Sequence, residues 1–103
     1  MKTFSKKRME IIVEEPILRR LTDALVAANV TGYTILPALG GRGSEGPWHR
    51  ENALSAAGHM VVLVCILDES LVEKVLEAAY RIVSRQIGIV TISDVEVVRP
   101  ELF

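Results

Sequence analysis

A short glycine-rich stretch in the middle of the chain carries the residues best suited to chemistry. It reads Leu39-Gly40-Gly41-Arg42-Gly43-Ser44-Glu45-Gly46-Pro47-Trp48-His49-Arg50. Its glycines let backbone N–H groups approach an anion without a side chain in the way. Arg42 offers a planar fork of donors that suits phosphate or carboxylate. The stretch therefore indicates an anion site, although a flexible glycine-rich linker has the same composition and stays open as an alternative.

Several familiar kinds of catalytic or metal site are not supported by the sequence. The phosphate-loop motif with Gly-Lys-Ser/Thr is absent, as is Gly-x-Gly-x-x-Gly before a helix. His49 and His59 have no cysteine or carboxylate at metal-ligand spacing, so exposed loop histidines are favoured over metal ligands. An enzyme using Glu45, His49 or His59 as acid–base groups, or Ser44 as a nucleophile, would hold them on a loop rather than a rigid element. We therefore expect no enzyme and no metal site.

Composition excludes some partners and leaves the role of single residues open. Twelve Lys+Arg against thirteen Asp+Glu give a formal net charge of −1, so no nucleic-acid partner is expected. No apolar run approaches the roughly 20 residues that span a bilayer, so no membrane insertion is expected. Met1 to Met9 lack the apolar stretch of a secretory signal, which predicts a cytoplasmic protein. Cys65 is interpreted as a buried structural thiol. Trp48 either packs across a subunit boundary or covers a ligand, or it anchors its loop against its own domain.

The apolar pattern predicts six regular elements in one domain spanning residues 1–103. Strands are expected at 8–13, 31–36, 60–67 and 89–98, because short β-branched runs bounded by turn residues are typical of strands. Helices are expected at 17–29 and 70–85, where apolar residues recur every three to four positions; the second would begin at a capping box of Ser70 and Glu73. The order predicts an α+β, ferredoxin-like βαββαβ sandwich, with two helices on one face of a four-stranded antiparallel sheet. The long loop 40–58 joins the second and third strands.

The third predicted strand, 60–67, is apolar at every position. A strand of this kind needs cover on both faces, but the helices of this fold cover only one. The sequence therefore predicts association between subunits through the other face of the sheet.

The segment Val30-Thr31-Gly32-Tyr33-Thr34-Ile35, followed by Gly41-Arg42-Gly43 at the start of a long loop, resembles the PII signalling family over essentially the whole chain. The resemblance implies a homotrimer that binds adenine nucleotide (ADP, AMP or ATP) as a regulatory ligand in clefts between subunits, with no covalent cofactor. The loop would be the T-loop, Thr34 would contact adenine, and Gly41 with Arg42 would lie near phosphates. The full nucleotide-binding set that it implies is Thr34, Gly40, Gly41, Arg42, Gly43, Arg85, Gly88 and Arg99.

The chain also departs from the common PII pattern. Gly43 replaces the glutamine used for magnesium and 2-oxoglutarate, the loop has no tyrosine for uridylylation, and the segment Ser84–Ile89 is shorter than the glycine-rich phosphate loop. These features are similar to the carboxysome-associated and bicarbonate-transport-associated branches. The resemblance therefore implies a bicarbonate site at Arg42, Gly43, Ser44 and Gly46, and a target protein that is a transporter or an enzyme. A CutA-like trimer concerned with divalent metal is the alternative.

Overall fold

The computed structural model describes residues 1–52 and 58–103. Two helices and six strands make up its main elements. They are β1 (Phe4–Glu14), α1 (Leu18–Ala27), β2 (Thr34–Pro37), β3 (Gly40–Gly43), β4 (Gly46–His49), β5 (Met60–Leu67), α2 (Val72–Val83) and β6 (Gly88–Val97).

Four of these strands form one antiparallel sheet in the order β2-β5-β1-β6. This order, with the two helices between the strands in sequence, confirms the predicted ferredoxin-like α+β fold. The pairing aligns Pro37, Val61, Val13 and Gly88 in one row across the sheet. We call the edge beyond this row the loop end of the sheet, because β2 leaves it toward β3.

The helices cover one face of the sheet and form the core with it. Along β5, every second residue is buried, and Leu63 and its β1 neighbour Ile11 are fully enclosed. The helices contribute Leu21 and Leu25 from α1 and Val75 from α2 to the same cluster. Alternation along each strand therefore sends one set of side chains into the core and the other to the open face.

The open face and the sheet edges leave apolar side chains in contact with solvent. Val62 and Val64 on β5 are only half-buried, and Leu36 on the edge strand β2 is 49% exposed. Ile87 and Ile89, beside the other edge, are also exposed. This distribution agrees with the reasoning that predicted subunit association, which stays a prediction for the single chain.

Two local expectations are wrong. The segment 40–58, expected to lack regular structure, contains the hairpin of β3 and β4; its residues 53–57 lie outside the described residues. The capping box is also absent: Ser70 lies inside the 3₁₀ turn Glu69–Leu71 that precedes α2, and neither helix start has a side-chain cap bond. The Ser70 hydroxyl instead donates to Asp68 Oδ2 at 2.8 Å, and a hydrogen bond from Lys6 lowers the pKa of the Asp68 carboxyl.

The remaining element boundaries differ from the expected ones by a few residues. The largest difference is in β1, which begins at Phe4 because it pairs with β6 as far as Val97. Strand β2 is limited to Thr34–Pro37, the part that pairs with β5. In the part of the chain that the structure describes, no helix is long and apolar enough to cross a membrane.

Candidate functional site

The glycine-rich stretch folds as a β-hairpin at the loop end of the sheet. Strand β3 pairs with β4, and Ser44 and Glu45 form the turn between Gly43 and Gly46. Gly46 has a φ of 99°, a backbone region that favours glycine. The root of the hairpin is held by two backbone hydrogen bonds, from Ala38 N to Met60 O at 3.0 Å and from Arg50 N to Leu39 O at 2.8 Å. The hairpin is therefore a separate two-stranded sheet whose root follows directly on the paired end of β2 and β5.

Two of the glycines are required by packing inside this hairpin. A Cβ atom on Gly41 would lie 2.9 Å from Cζ2 of Trp48, directly opposite on β4. A Cβ atom on Gly40 would lie 2.8 Å from the Trp48 carbonyl oxygen. The sequence left an anion cradle and a flexible linker as explanations for these glycines. The structure supplies a third explanation, close approach of the two strands around a tryptophan.

A cavity of about 360 Å³ lies between the hairpin and the loop end of the sheet. Its apolar lining comes from Trp48, Met60 and Ile87, and its polar lining includes the carboxylates of Glu14 and Glu45. Gly43, Ser44, Gly46 and Gly58 complete the wall. Three of the four residues predicted to bind bicarbonate, Gly43, Ser44 and Gly46, thus line one cavity. Ile87, which precedes Gly88, lines the same cavity. Trp48 both packs within its hairpin and faces the cavity, so the two explanations for it are compatible.

Arg42 lies on the opposite face of the hairpin from this cavity. It pairs with Pro47, while its neighbour Gly41 pairs with Trp48, and successive residues of a strand point to opposite faces. Arg42 and Arg85 are exposed, and neither forms an ion pair or side-chain hydrogen bond with any described residue. Both guanidinium groups therefore have unused donors for an anion.

Gly88, another residue of the predicted nucleotide set, has a packing role. It opens β6 in the row at the loop end. A Cβ atom there would lie 2.6 Å from Cγ1 of Val83, the last residue of α2. The absence of a side chain at Gly88 lets the turn after α2 return closely against the sheet.

The remaining two residues of the nucleotide set lie away from this end. Thr34 is the first residue of β2 and pairs with Val64 of β5. It lies three residues before Pro37 and is exposed. Arg99 follows the far end of β6, and the strand from Gly88 to Val97 spans about 30 Å at the usual rise per residue. Arg99 also pairs with Glu101 at 3.5 Å. One chain therefore cannot bring Arg99 and Arg42 to one ligand, whereas a cleft between two copies can draw on opposite ends of the fold.

The histidines contact neighbouring protein groups. His49 Nδ1 accepts a hydrogen bond from Glu51 N at 3.3 Å. His59 Nδ1 lies 3.0 Å from Arg50 Nη1 and 3.4 Å from Glu15 Oε2. Residues 1–52 and 58–103 contain no group of three or more His, Cys, Asp or Glu side chains arranged to hold a metal ion.

Sequence reasoning missed this Glu15–Arg50–His59 cluster and the contribution of Ile87 to the cavity. Glu15 precedes α1, where an acidic side chain is typical of the positive end of a helix, and this position alone gives no reason to expect a contact with His59. The cluster depends on the antiparallel pairing of β1 and β5, which places Glu14 opposite Met60 and hence Glu15 beside His59. With the β1–β5 register known, counting one residue beyond the Glu14–Met60 pair places Glu15 beside His59.

A larger surface depression, of about 470 Å³, lies beside the β1–β6 ribbon. Its charged lining includes Lys6, Lys7, Glu69 and Asp94. Lys6 pairs with Asp68 at 2.7 Å, and Lys7 pairs with Asp94, whose hydrogen bond raises the pKa of Lys7. Both lysines of this depression are already paired with carboxylates, so it is a weaker candidate for an anion site than the hairpin region.

The fold and the site together define a class of small ferredoxin-like proteins with a long loop between the second and third strands of the main sheet. The family model described as nitrogen regulatory protein P-II matches residues 6–102. The chain belongs to the P-II family, and this match decides between the PII-like and CutA-like assignments that the sequence left open.

Solved structures identify the branch of the family that this chain resembles. CPII, a nitrogen regulatory PII-like protein from Thiomonas intermedia K12 bound to ADP, AMP and bicarbonate, superposes with a TM-score of 0.88 at 31% identity, covering 99% of this chain and 96% of CPII. CPII bound to ADP, AMP and acetate gives a TM-score of 0.81 at 31% identity, covering 100% and 98% of the two chains. The chain is therefore a divergent, PII-like member of the family.

A second organism supplies a further structural match. A protein described as PII-like and signalling, from Thermus thermophilus, gives a TM-score of 0.82 at 24% identity, covering 100% of this chain and 99% of its own. At that identity the likeness supports the fold. Comparison with curated proteins finds no significant match.

Proposed function

We propose that this chain is a PII-like signal-transduction protein that binds adenine nucleotide in clefts between the subunits of a homotrimer. The proposal is for a regulator rather than an enzyme. It rests on membership of the P-II family and on likeness to CPII, which has been solved with ADP, AMP and bicarbonate. The cytoplasm, which holds the nucleotides that the proposal requires, is its expected compartment.

One observation of this chain carries the proposal furthest. The glycine hairpin and the turn after α2, which are far apart in sequence, meet at the loop end of the sheet, where Gly43 and Ile87 line one cavity. Arg42 on the hairpin and Arg85 on the turn have no partner among the described residues. Two unpaired guanidinium groups near one end of a small fold are well suited to a polyphosphate.

The separation of the other predicted residues supports a site shared by two copies. In the proposal, Thr34 contacts the base, and Arg42 and Arg85 contact phosphates near the backbone of Gly40, Gly41, Gly43 and Gly88. Arg99, at the far end of β6, joins the site only from a neighbouring subunit. The apolar open face supplies a reason for such association, because subunits that cover it remove Val62, Val64 and Leu36 from water.

We also propose that bicarbonate binds at the hairpin, close to Arg42, Gly43, Ser44 and Gly46. Bicarbonate presents two oxygens in the same plane, which match the donor fork of a guanidinium group. Glu14 and Glu45 line the cavity and disfavour an anion inside it. The proposed bicarbonate therefore lies on the Arg42 side of the hairpin turn, where the guanidinium group supplies the compensating charge. Binding would then shift the hairpin toward a conformation recognised by a target transporter or enzyme.

The test is calorimetric titration of the full chain with ADP, AMP and ATP, each with and without bicarbonate. We expect saturable heat with at least one nucleotide and a change in its affinity when bicarbonate is present. Arg42→Ala should weaken nucleotide binding at least about tenfold, a loss typical of a charge-assisted hydrogen bond. Arg19→Ala is the matched control, because Arg19 is an exposed arginine on α1, remote from the hairpin in sequence. Absence of heat in every combination would remove the proposal.

A further inference from the structure

Three side chains meet at the root of the hairpin in an arrangement with two incompatible sets of hydrogen bonds. Arg50 Nη1 lies 3.0 Å from Nδ1 of His59, within hydrogen-bond distance. Glu15 Oε2 lies 3.4 Å from the same nitrogen and 3.8 Å from Arg50 Nη1. All three side chains are partly shielded from solvent, with exposures of 25% for Arg50, 28% for His59 and 44% for Glu15.

The single atom His59 Nδ1 cannot serve both neighbours at once. Arg50 can only donate, so its hydrogen bond requires a lone pair on Nδ1 and hence a neutral ring. Glu15 can only accept while ionised, so its hydrogen bond requires a proton on Nδ1. A protonated ring also places a positive charge 3.0 Å from the Arg50 guanidinium, which repels it. Protonation therefore exchanges Arg50 for Glu15 as the partner of His59.

The same three residues are connected to the backbone that supports the hairpin. Arg50 directly follows β4, and its N–H donates to Leu39 O at 2.8 Å at the base of β3. Glu15 N donates to His59 O at 2.8 Å, which fixes His59 against the end of β1. The side-chain contact between Arg50 and His59 thus joins the hairpin root to the sheet.

The Arg50 side chain also has a buried donor that is not hydrogen-bonded in the observed position. Its Nε is buried and has no hydrogen-bond partner among the described residues. An unsatisfied buried donor costs free energy, so the observed position of Arg50 depends on its other contacts, including the one to His59. The charged groups that face His59 are Glu15 from the turn after β1 and Arg50 from the turn after β4, with Glu14 adjacent in the cavity wall.

We propose that Glu15, Arg50 and His59 form a pH-sensitive latch at the hairpin root. Neutral His59 accepts a hydrogen bond from Arg50 and keeps the hairpin over the cavity. Protonated His59 pairs with Glu15 and repels Arg50, which keeps only its longer contact to Glu15, so the hairpin can shift. The charge of the His59 ring sets the state of the latch, and histidine is the side chain whose charge ordinarily changes between pH 5 and 8. This proposal rests on the proposed function, because the latch regulates the same site. The latch makes the affinity for ligand depend on pH.

Trp48 provides a direct readout, because it is the only tryptophan in the chain and lies on the hairpin strand that ends beside Arg50. The experiment follows tryptophan emission of the full-length protein, without ligand, from pH 5 to pH 8.5. We expect a single sigmoid change in the wild type. His59→Gln can still accept from Arg50 but gains no charge, so its emission should stay flat. Glu15→Gln replaces the ionised acceptor of the protonated ring by a neutral one, so its emission change should be smaller than that of the wild type.

His49→Gln is the matched control, since His49 is the only other histidine and contacts Glu51 instead. It should keep the wild-type transition. A flat wild-type profile, a transition that survives in His59→Gln, or one that disappears in His49→Gln would overturn the latch. Far-ultraviolet circular dichroism over the same pH range identifies any variant that fails to fold.

If His59→Gln does not fold, proton NMR of the wild type gives an independent test. The ring signals of His59 and the indole N–H signal of Trp48 should titrate with the same midpoint, and different midpoints would refute the coupling. Neither experiment contains nucleotide, so failure of the latch leaves the calorimetric result intact, and absence of nucleotide binding leaves the latch measurable.

Discussion

Replacement of Gly88 by alanine separates the packing role of this residue from its expected role in nucleotide binding. The added Cβ would lie 2.6 Å from Val83 Cγ1, 3.1 Å from the carbonyl oxygen of Ile12 and 3.3 Å from Val13 Cγ1. The Ile12 oxygen belongs to the β1 backbone, and Val83 is 5% exposed in the core, so neither can move away freely. Overpacking of this kind costs about 1–3 kcal/mol. Alanine also has less conformational entropy than glycine in the unfolded chain, which stabilises the folded state by about 0.4–1 kcal/mol.

We therefore expect Gly88→Ala to lower the free energy of unfolding by about 1–2 kcal/mol. The assay is urea unfolding at a fixed protein concentration, followed by far-ultraviolet circular dichroism. Val83→Ala removes the methyl group in closest contact, so in that background the alanine at position 88 should cost much less, a coupling of about 0.5–3 kcal/mol. Equal stability of Gly88→Ala and wild type, or an equal cost in both backgrounds, would refute the packing argument. Unchanged stability with lost ADP binding would show that Gly88 acts on the ligand alone.

Three further predictions concern the core, the hairpin and the buried thiol. Leu63→Ala should lower the free energy of unfolding by about 2–5 kcal/mol, because Leu63 is fully buried; a loss below about 1 kcal/mol in urea unfolding would contradict this core. Gly41→Ala should change Trp48 emission while altering the free energy of unfolding by less than about 1 kcal/mol, because its Cβ would lie 2.9 Å from the indole but outside the core; unchanged emission would argue against the observed hairpin packing. Burial raises the pKa of the Cys65 thiol from 9.0 to about 11, so the unfolded chain ionises first and stability should fall as pH rises from 9 to 11; Cys65→Ala should lack this component, and identical pH profiles for the two proteins would refute it.

Much of the fold was predictable because its signals are local. The apolar run of β5, the three-to-four spacing of α1 and α2, and the β-branched residues of β1 each depend on a few neighbouring side chains. Their order along the chain then restricts the topology, since antiparallel pairing of two βαβ units gives a ferredoxin-like sheet. The fully apolar strand also indicated an open face that one chain leaves partly uncovered.

The hairpin and the start of α2 were missed for physical reasons. Gly40, Gly41 and Gly43 lack the apolar alternation that marks a strand, because their pairing with β4 depends on backbone hydrogen bonds and on space for Trp48. The sequence pattern of Ser70 and Glu73 fits a capping box, but a 3₁₀ turn over Glu69–Leu71 precedes α2 and moves the helix start past Ser70.

The site was predictable only as a set of residue types. Resemblance to the PII family selected Thr34, Arg42 and Arg99. Their positions in three separate parts of the fold follow only from the strand register. The side of the hairpin that Arg42 occupies likewise depends on its pairing with Pro47. Side-chain direction and contacts between distant segments require the three-dimensional fold.

The central claim is that copies of this chain associate and bind adenine nucleotide between them. A crystal structure determined in the presence of ADP and bicarbonate tests it most directly. The account predicts three chains related by threefold symmetry, their open sheet faces covered, with ADP between neighbours in contact with Thr34 and Arg42 of one chain. A single chain of 11.4 kDa with its open face in solvent and no nucleotide at the hairpin would contradict the account.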